Sequence, residues 1–188
     1  KYYDINTDLP KQYKLPNDTV HFKSLHDADL DRVFEYLKTS NNKHVLAVYV
    51  LLESGVRFTE LINIRYENID FNTRCILLNH TKNGIKRIAH FGPLSEQFIK
   101  DIEHDYFTNI THSGLRHFLD RIKKDLSIDR LHPHMLRKTF ATQLLKRGCP
   151  LTSIQKYLGH TDIRMTMIYL DIDIQMLDSD YNNYYPYK

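Results

Sequence analysis

The chain has 188 residues, 41% hydrophobic and 26% charged, an ordinary globular balance that rules out disorder, collagen and low complexity as overall descriptions. Its net charge is +3, and its two cysteines, Cys75 and Cys149, form neither a disulfide framework nor a CxxC metal pair. The most apolar stretch, 45–52, is far short of the roughly 18 residues a membrane helix needs, and no signal peptide shows, so a cytoplasmic protein without a membrane partner is expected.

Residues 1–20 are polar, hold Pro10 and Pro16 and show no period; they read as a linker. The first residue is Lys1, which suggests an excised fragment or a processed chain. Asp27 is the expected N-cap of a first helix whose Leu30, Val33, Phe34 and Leu37 share one face. A second helix fits 43–54 and stops at Gly55, and a third fits 58–64. The period then changes. Segments 75–78 and 87–91 are short and apolar, with Asn83-Gly84 between them, so a β-hairpin with Lys82 at its tip is expected. A third strand is placed near 64–69. Helices resume at 94–103, with Ser95 as cap, at 113–126 and at 133–147. Pro133 begins the last of these and Gly148 follows it. Two short helices follow, 151–158 closed by Gly159 and 162–170. The fold class is α+β, mainly α, a helical domain with one small antiparallel sheet.

Charge is unevenly spread. Segment 113–150 holds nine Lys/Arg against three Asp, and segment 71–95 holds four against none. The stretch from Thr166 onward carries four Asp against Lys188. A basic face of this kind suits a polyanion, and a mixed solvated surface is the plainer reading.

Four clusters carry chemistry. In Gly55-Val56-Arg57-Phe58-Thr59-Glu60-Leu61, Arg57 is either a surface charge or a group aimed at an anion, with Glu60 one turn on to orient it. Lys82 is either a solubilising turn residue or a donor that reaches over a substrate. His134 and Arg137 share a helix face three residues apart. That pair is either a solvated helix start or a phosphate site containing a base. His132 stands nearby, but no carboxylate or cysteine completes a metal ligand set. Last, Leu158-Gly159-His160 precedes Tyr169 by nine residues, and a tyrosine in Met167-Ile168-Tyr169-Leu170 alone reads as core.

Taken in order, Arg, hairpin Lys, His-x-x-Arg, Leu-Gly-His and Tyr resemble the catalytic domain of the tyrosine recombinases, the phage integrase family. The most specific stretch is LHPHMLRKTFATQLLKRGCPLTSIQKYLGHTDIRMTMIY, residues 131–169. The first cluster has the family's Gly-x-Arg-x-x-Glu-Leu form, and Lys82 with Arg87 matches its hairpin segment. Lys138 stands where many members have a second His.

The resemblance implies a catalytic domain at 21–173, a missing N-terminal DNA-binding domain, and a tail at 174–188 exchanged between protomers. It implies that Tyr169 attacks a scissile phosphate to form a 3′-phosphotyrosyl bond, freeing a 5′-hydroxyl. Arg57, Arg137 and His160 would hold the non-bridging oxygens, His134 would act as base or orient the phosphate, and Lys82 would protonate the leaving oxygen. Lys86, Arg87 and Lys138 are expected DNA contacts, with Glu60 supporting the site. No metal or other cofactor is expected. The partner would be double-stranded DNA, bound by a homo-tetramer on paired sites. The expected activity is site-specific recombination that integrates or excises a mobile element. Xer-like dimer resolution, a type IB topoisomerase and a catalytically dead DNA-binding domain are the alternatives.

Overall fold

The helix Val45–Ser54 is apolar on nearly every side, and such a helix must lie inside a protein rather than on its face. It forms the centre of the fold. In the computed structural model, which describes residues 24–79, 84, 86–99 and 110–167, the chain runs through eight α-helices, one 3-10 turn (Tyr66–Asn68) and a small sheet within those residues. The helices are α1 (Asp27–Thr39), α2 (Val45–Ser54), α3 (Phe58–Leu61), α4 (Pro93–Ile99), α5 (His112–Asp125), α6 (Pro133–Lys146), α7 (Leu151–Leu158) and α8 (Arg164–Met167). The strands are β1 (Ile69–Asp70), β2 (Cys75–Leu78) and β3 (Arg87–His90). Lys82, Tyr169, the 1–20 linker and the 174–188 tail lie outside the described residues.

α2 packs chiefly on α6, and also on α4 and β3. α5 adds Leu115, Phe118, Leu119 and Ile122 to the core, spaced one helical turn apart. Its opposite face exposes Arg116, Asp120, Arg121 and Lys124. A smaller apolar cluster of Ala141, Ile154 and Leu158 joins α6 to α7. The strands are antiparallel in the order β1-β2-β3, with Leu78 opposite Arg87 and Cys75 opposite His90. Among the described residues, no helix is long and apolar enough to cross a membrane.

Helix ends differ from the sequence reading where a distant residue bonds or replaces the expected cap. Asp27 is the first residue of α1 rather than its cap; its carboxylate bonds Lys146 at 2.9 Å and Gln143 at 2.6 Å, on α6. Ser95 lies within α4. The Glu53 carboxylate, from α2, accepts the Ser95 N–H at 2.9 Å and the Gly92 and Leu94 N–H groups at 3.2 Å, so it does the capping. α3 is a single turn rather than a helix to residue 64, and the third strand begins only at Ile69. Gly55 ends α2 in the left-handed region, as expected, with φ +61°. A Cβ there would stand 2.3 Å from Cδ1 of Phe140 on α6, so this glycine also permits the close approach of α2 and α6.

Candidate active site

Three chain segments meet at the C-terminal end of α2, and each brings one part of the site. The first is α3. Glu60 sits in its only turn and reaches back to its start, where Oε2 accepts the Arg57 N–H at 2.7 Å and Oε1 accepts from the Arg57 guanidinium at 2.9 Å. The local sequence dictates this, since a carboxylate three residues past a helix start is placed to satisfy the first amide. The Glu60 side chain is 1% exposed, while Arg57 remains 25% exposed and lines a cavity.

The second segment is the start of α6. Pro133 occupies the first turn, and His132 caps the helix by accepting the Met135 N–H on Nδ1 at 3.2 Å. The sequence put His132 beside a metal question; the structure gives that nitrogen a capping role. His134 is exposed at this helix start. Arg137, one turn on, is 3% exposed and donates to the Gly55 carbonyl and to the Leu158 carbonyl, both at 2.6 Å. These carbonyls end α2 and α7, where helices leave their last acceptors unsatisfied. Arg137 is therefore fixed by main chain from two other elements.

The third segment is the α7–α8 junction. Gly159 is left-handed, with φ +63°, and delivers His160 to Arg137, whose Nη2 lies 3.3 Å from His160 Nε2. His160 Nδ1 is 2.9 Å from the Thr166 hydroxyl, and Gln155 donates to the His160 carbonyl at 3.1 Å. A guanidinium has only donors, so Nε2 accepts and the single proton of the neutral ring sits on Nδ1, facing Thr166. Burial pushes the His160 pKa down to about 4, helped by the charges of Arg137, Arg57 and Arg87 and by His134. His134, exposed as a whole residue but partly desolvated where it lines the cavity wall, is lowered too, by that desolvation first and then by Arg137, His132, Lys138 and Arg57. Both rings are neutral at pH 7.

Glu60 ties the three segments together. Besides Arg57 it binds Arg87 of β3 at 2.6 Å and stands 3.9 Å from Arg137. Burial alone would raise its pKa, but the bonds and charges of Arg87 and Arg57 outweigh that and hold it below the usual carboxylate range. One buried carboxylate thus faces three guanidiniums, and the cluster carries excess positive charge.

A cavity of about 630 Å³ opens beside these residues, lined by Arg57, His134 and Arg137. α5 adds Arg116 and Lys123 to its wall, and the following loop adds Arg130. At its edge the His112 ring meets Phe58 edge-on, 4.8 Å between centroids. Two guanidiniums and two imidazoles beside a cavity that is net positive, Asp120 and Asp129 included, suit an anion such as a phosphate.

The structure brings Arg57, His134, Arg137, His160 and Glu60 together. Lys86 is exposed just before β3. Arg87 and Lys138 are buried rather than on the open surface. Arg87 is 9% exposed and bonded to Glu60 and to the Tyr157 carbonyl, and Lys138 is 5% exposed within α6. Thr166 and Gln155, which orient His160, were not read from the sequence. A threonine or glutamine several residues from a histidine carries no signal until the chain turns back at Gly159.

The signature of the phage integrase family matches residues 23–176. A probable integrase/recombinase of Acholeplasma phage L2 is 30% identical over 98% of this chain and 70% of its own length. Tyrosine recombinase XerA of Saccharolobus solfataricus is 35% identical over 85% of this chain. This chain spans just over half of that relative, 55%. A crystal structure of XerA recombinase matches with a TM-score of 0.73 at 25% identity, covering 88% of this chain and 66% of that one.

Proposed function

The chain belongs to the phage integrase family, and from that membership we propose that it is a tyrosine-type site-specific recombinase that cuts and rejoins double-stranded DNA through a 3′-phosphotyrosyl intermediate. The observation that carries this reading is the convergence of Arg57 and Arg137 on one cavity, with His160 3.3 Å behind Arg137 and Arg137 locked to two helix-end carbonyls.

In the proposed reaction the Tyr169 oxygen attacks phosphorus and its proton passes to His134. The bond to the 5′-oxygen breaks, and that oxygen takes a proton from Lys82. A phenol ionises near pH 10, so it needs help at neutral pH, and a neutral His134 beside two guanidiniums supplies a proton acceptor in a cationic setting. As phosphorus becomes pentacoordinate, charge grows on its equatorial oxygens, and preorganised guanidiniums stabilise it. A bound anion opposes the arginine charges that add to burial in lowering the His160 pKa, which favours the protonated, donating ring. The 5′-hydroxyl of a partner strand then attacks the phosphotyrosine, releasing Tyr169 and resealing DNA. The phosphotyrosyl bond retains the energy of the cut linkage, so the cycle is closed in bonds and protons.

The biological setting we propose is integration or excision of a mobile element, supported by the phage relative matched along nearly the whole chain. Relatives named XerA and XerC support Xer-like dimer resolution as the second reading. Residues 21–173 act as the catalytic domain, 1–20 as a linker and 174–188 as a tail passed between protomers of a cytoplasmic homo-tetramer on paired sites. Lys86 and the exposed basic residues of α5 contact the DNA backbone. The test is relaxation of supercoiled plasmid in EDTA without ATP. Wild-type protein relaxes it, and Arg137→Ala loses about 10²–10³-fold in rate, the usual cost of one such donor. An unchanged rate in Arg137→Ala sinks the assignment.

A further inference from the structure

Arg87 lies on β3, outside the cavity lining, yet three parts of the site close on it. Its Nη2 donates to Glu60 Oε2 at 2.6 Å, and its Nη1 donates to the Tyr157 carbonyl in the last turn of α7. Its methylenes run beneath Gly159, where an added Cβ would stand 2.6 Å from Arg87 Cδ. Gly159 therefore serves two ends, the left-handed stop of α7 and room for this side chain. We propose that Arg87 is a positioning residue for strand cleavage, a buried strut whose fork ties the Glu60 carboxylate to the end of α7 and so holds Arg57, Arg137 and His160 in one geometry. This rests on the recombinase reading above.

The effect of Arg87 has two halves. The first is electrostatic. Glu60 carries one negative charge and faces Arg57, Arg87 and Arg137, the last at 3.9 Å. Without Arg87 the carboxylate is left to the other two, and Arg137 is drawn inward, away from the cavity. The second half is mechanical. The last turn of α7 supplies the Tyr157 carbonyl to Arg87 and the Leu158 carbonyl to Arg137, and it leads through Gly159 into His160. Loss of the first bond loosens the turn that sets the second. Lysine keeps the charge but cannot span a carboxylate and a carbonyl with one planar fork.

Three readouts on Arg87→Met and Arg87→Lys test the strut. They are the rate of covalent adduct formation on supercoiled plasmid, the affinity for a fluorescein-labelled random-sequence duplex, and the NMR titration of the His160 ring. In Arg87→Met the rate falls about 10- to 100-fold, the scale of a small misplacement of catalytic groups, while duplex affinity holds. The His160 titration moves up from about 4, because Arg87 is one of the charges, with Arg137, Arg57 and His134, that depress it. In Arg87→Lys the titration returns toward the wild-type value but the rate does not. A wild-type rate in either variant overturns the proposal, as does a rate loss matched by an equal loss of duplex affinity. Should Arg87→Met fail to fold, Arg87→Lys decides by the same criteria. If wild-type protein forms no adduct, the recombinase reading fails, and an unshifted His160 titration in Arg87→Met would then overturn the strut separately.

Discussion

Glu60 shows how a buried charge becomes a structural necessity. Its carboxylate is almost wholly enclosed and is tolerated because arginines and a main-chain amide satisfy it. Neutralising it leaves guanidiniums facing one another, so Glu60→Gln should destabilise the fold by about 3–5 kcal/mol, read from urea unfolding. A loss within experimental error would show that the cluster is solvated rather than paired. His160 makes the protein acid-sensitive by a related route. Its folded pKa near 4 lies below the ordinary 6.5, so between those values the unfolded chain binds more protons. Its contribution is complete above pH 6.5 and is lost as pH falls toward 4, at most about 3 kcal/mol. The urea midpoint should therefore drop between pH 7 and pH 5, and His160→Gln should blunt that drop. A midpoint that rises on acidification would contradict the assignment.

At the scale of elements, the helices lean on each other's ends. Arg137 of α6 binds the terminal carbonyls of α2 and α7, and Glu53 of α2 caps α4. The site is thus built from helix termini. Gly55 is the joint on which most of this depends, and Gly55→Ala would put a methyl group into Phe140 at a positive φ. It should lower stability by more than about 1 kcal/mol, measured by thermal or urea unfolding. A neutral or stabilising effect would mean that α2 and α6 can part freely. This scale also explains what could be read in advance. The apolar run of α2, the one-turn spacing in α5 and the glycines closing α2 and α7 are local signals, and they placed those elements well. The cap of α4 was misplaced because it comes from Glu53 on α2, and that of α1 because the Asp27 carboxylate is taken up by Gln143 and Lys146 of α6. Likewise Lys86, Arg87 and Lys138 look alike on paper. Only the fold decides that Arg87 turns inward to a glutamate 27 positions earlier, while Lys86 stays out.

For the molecule as a whole, the segment 113–150 concentrates positive charge, and its α5 portion forms one wall of the cavity. Binding to duplex DNA through such a face releases counterions, so affinity should fall steeply with salt. Replacing Arg116, Lys123 or Arg130 with alanine should reduce the slope of log affinity against log salt by about 1 each, with little change in sequence preference. An unchanged slope in all three would move the DNA to another face. The order of the motifs along the chain is legible because each motif has fixed internal spacing. The mutual support among motifs is not, since it runs through main-chain carbonyls and one carboxylate. The central claim is phosphotyrosine chemistry at Tyr169, and covalent trapping reads it most directly. Protein incubated with supercoiled plasmid in EDTA and quenched with SDS should yield a protease-sensitive adduct on the 3′ end, absent from Tyr169→Phe. An adduct that persists in Tyr169→Phe would contradict the account and direct attention to the tyrosines of the tail.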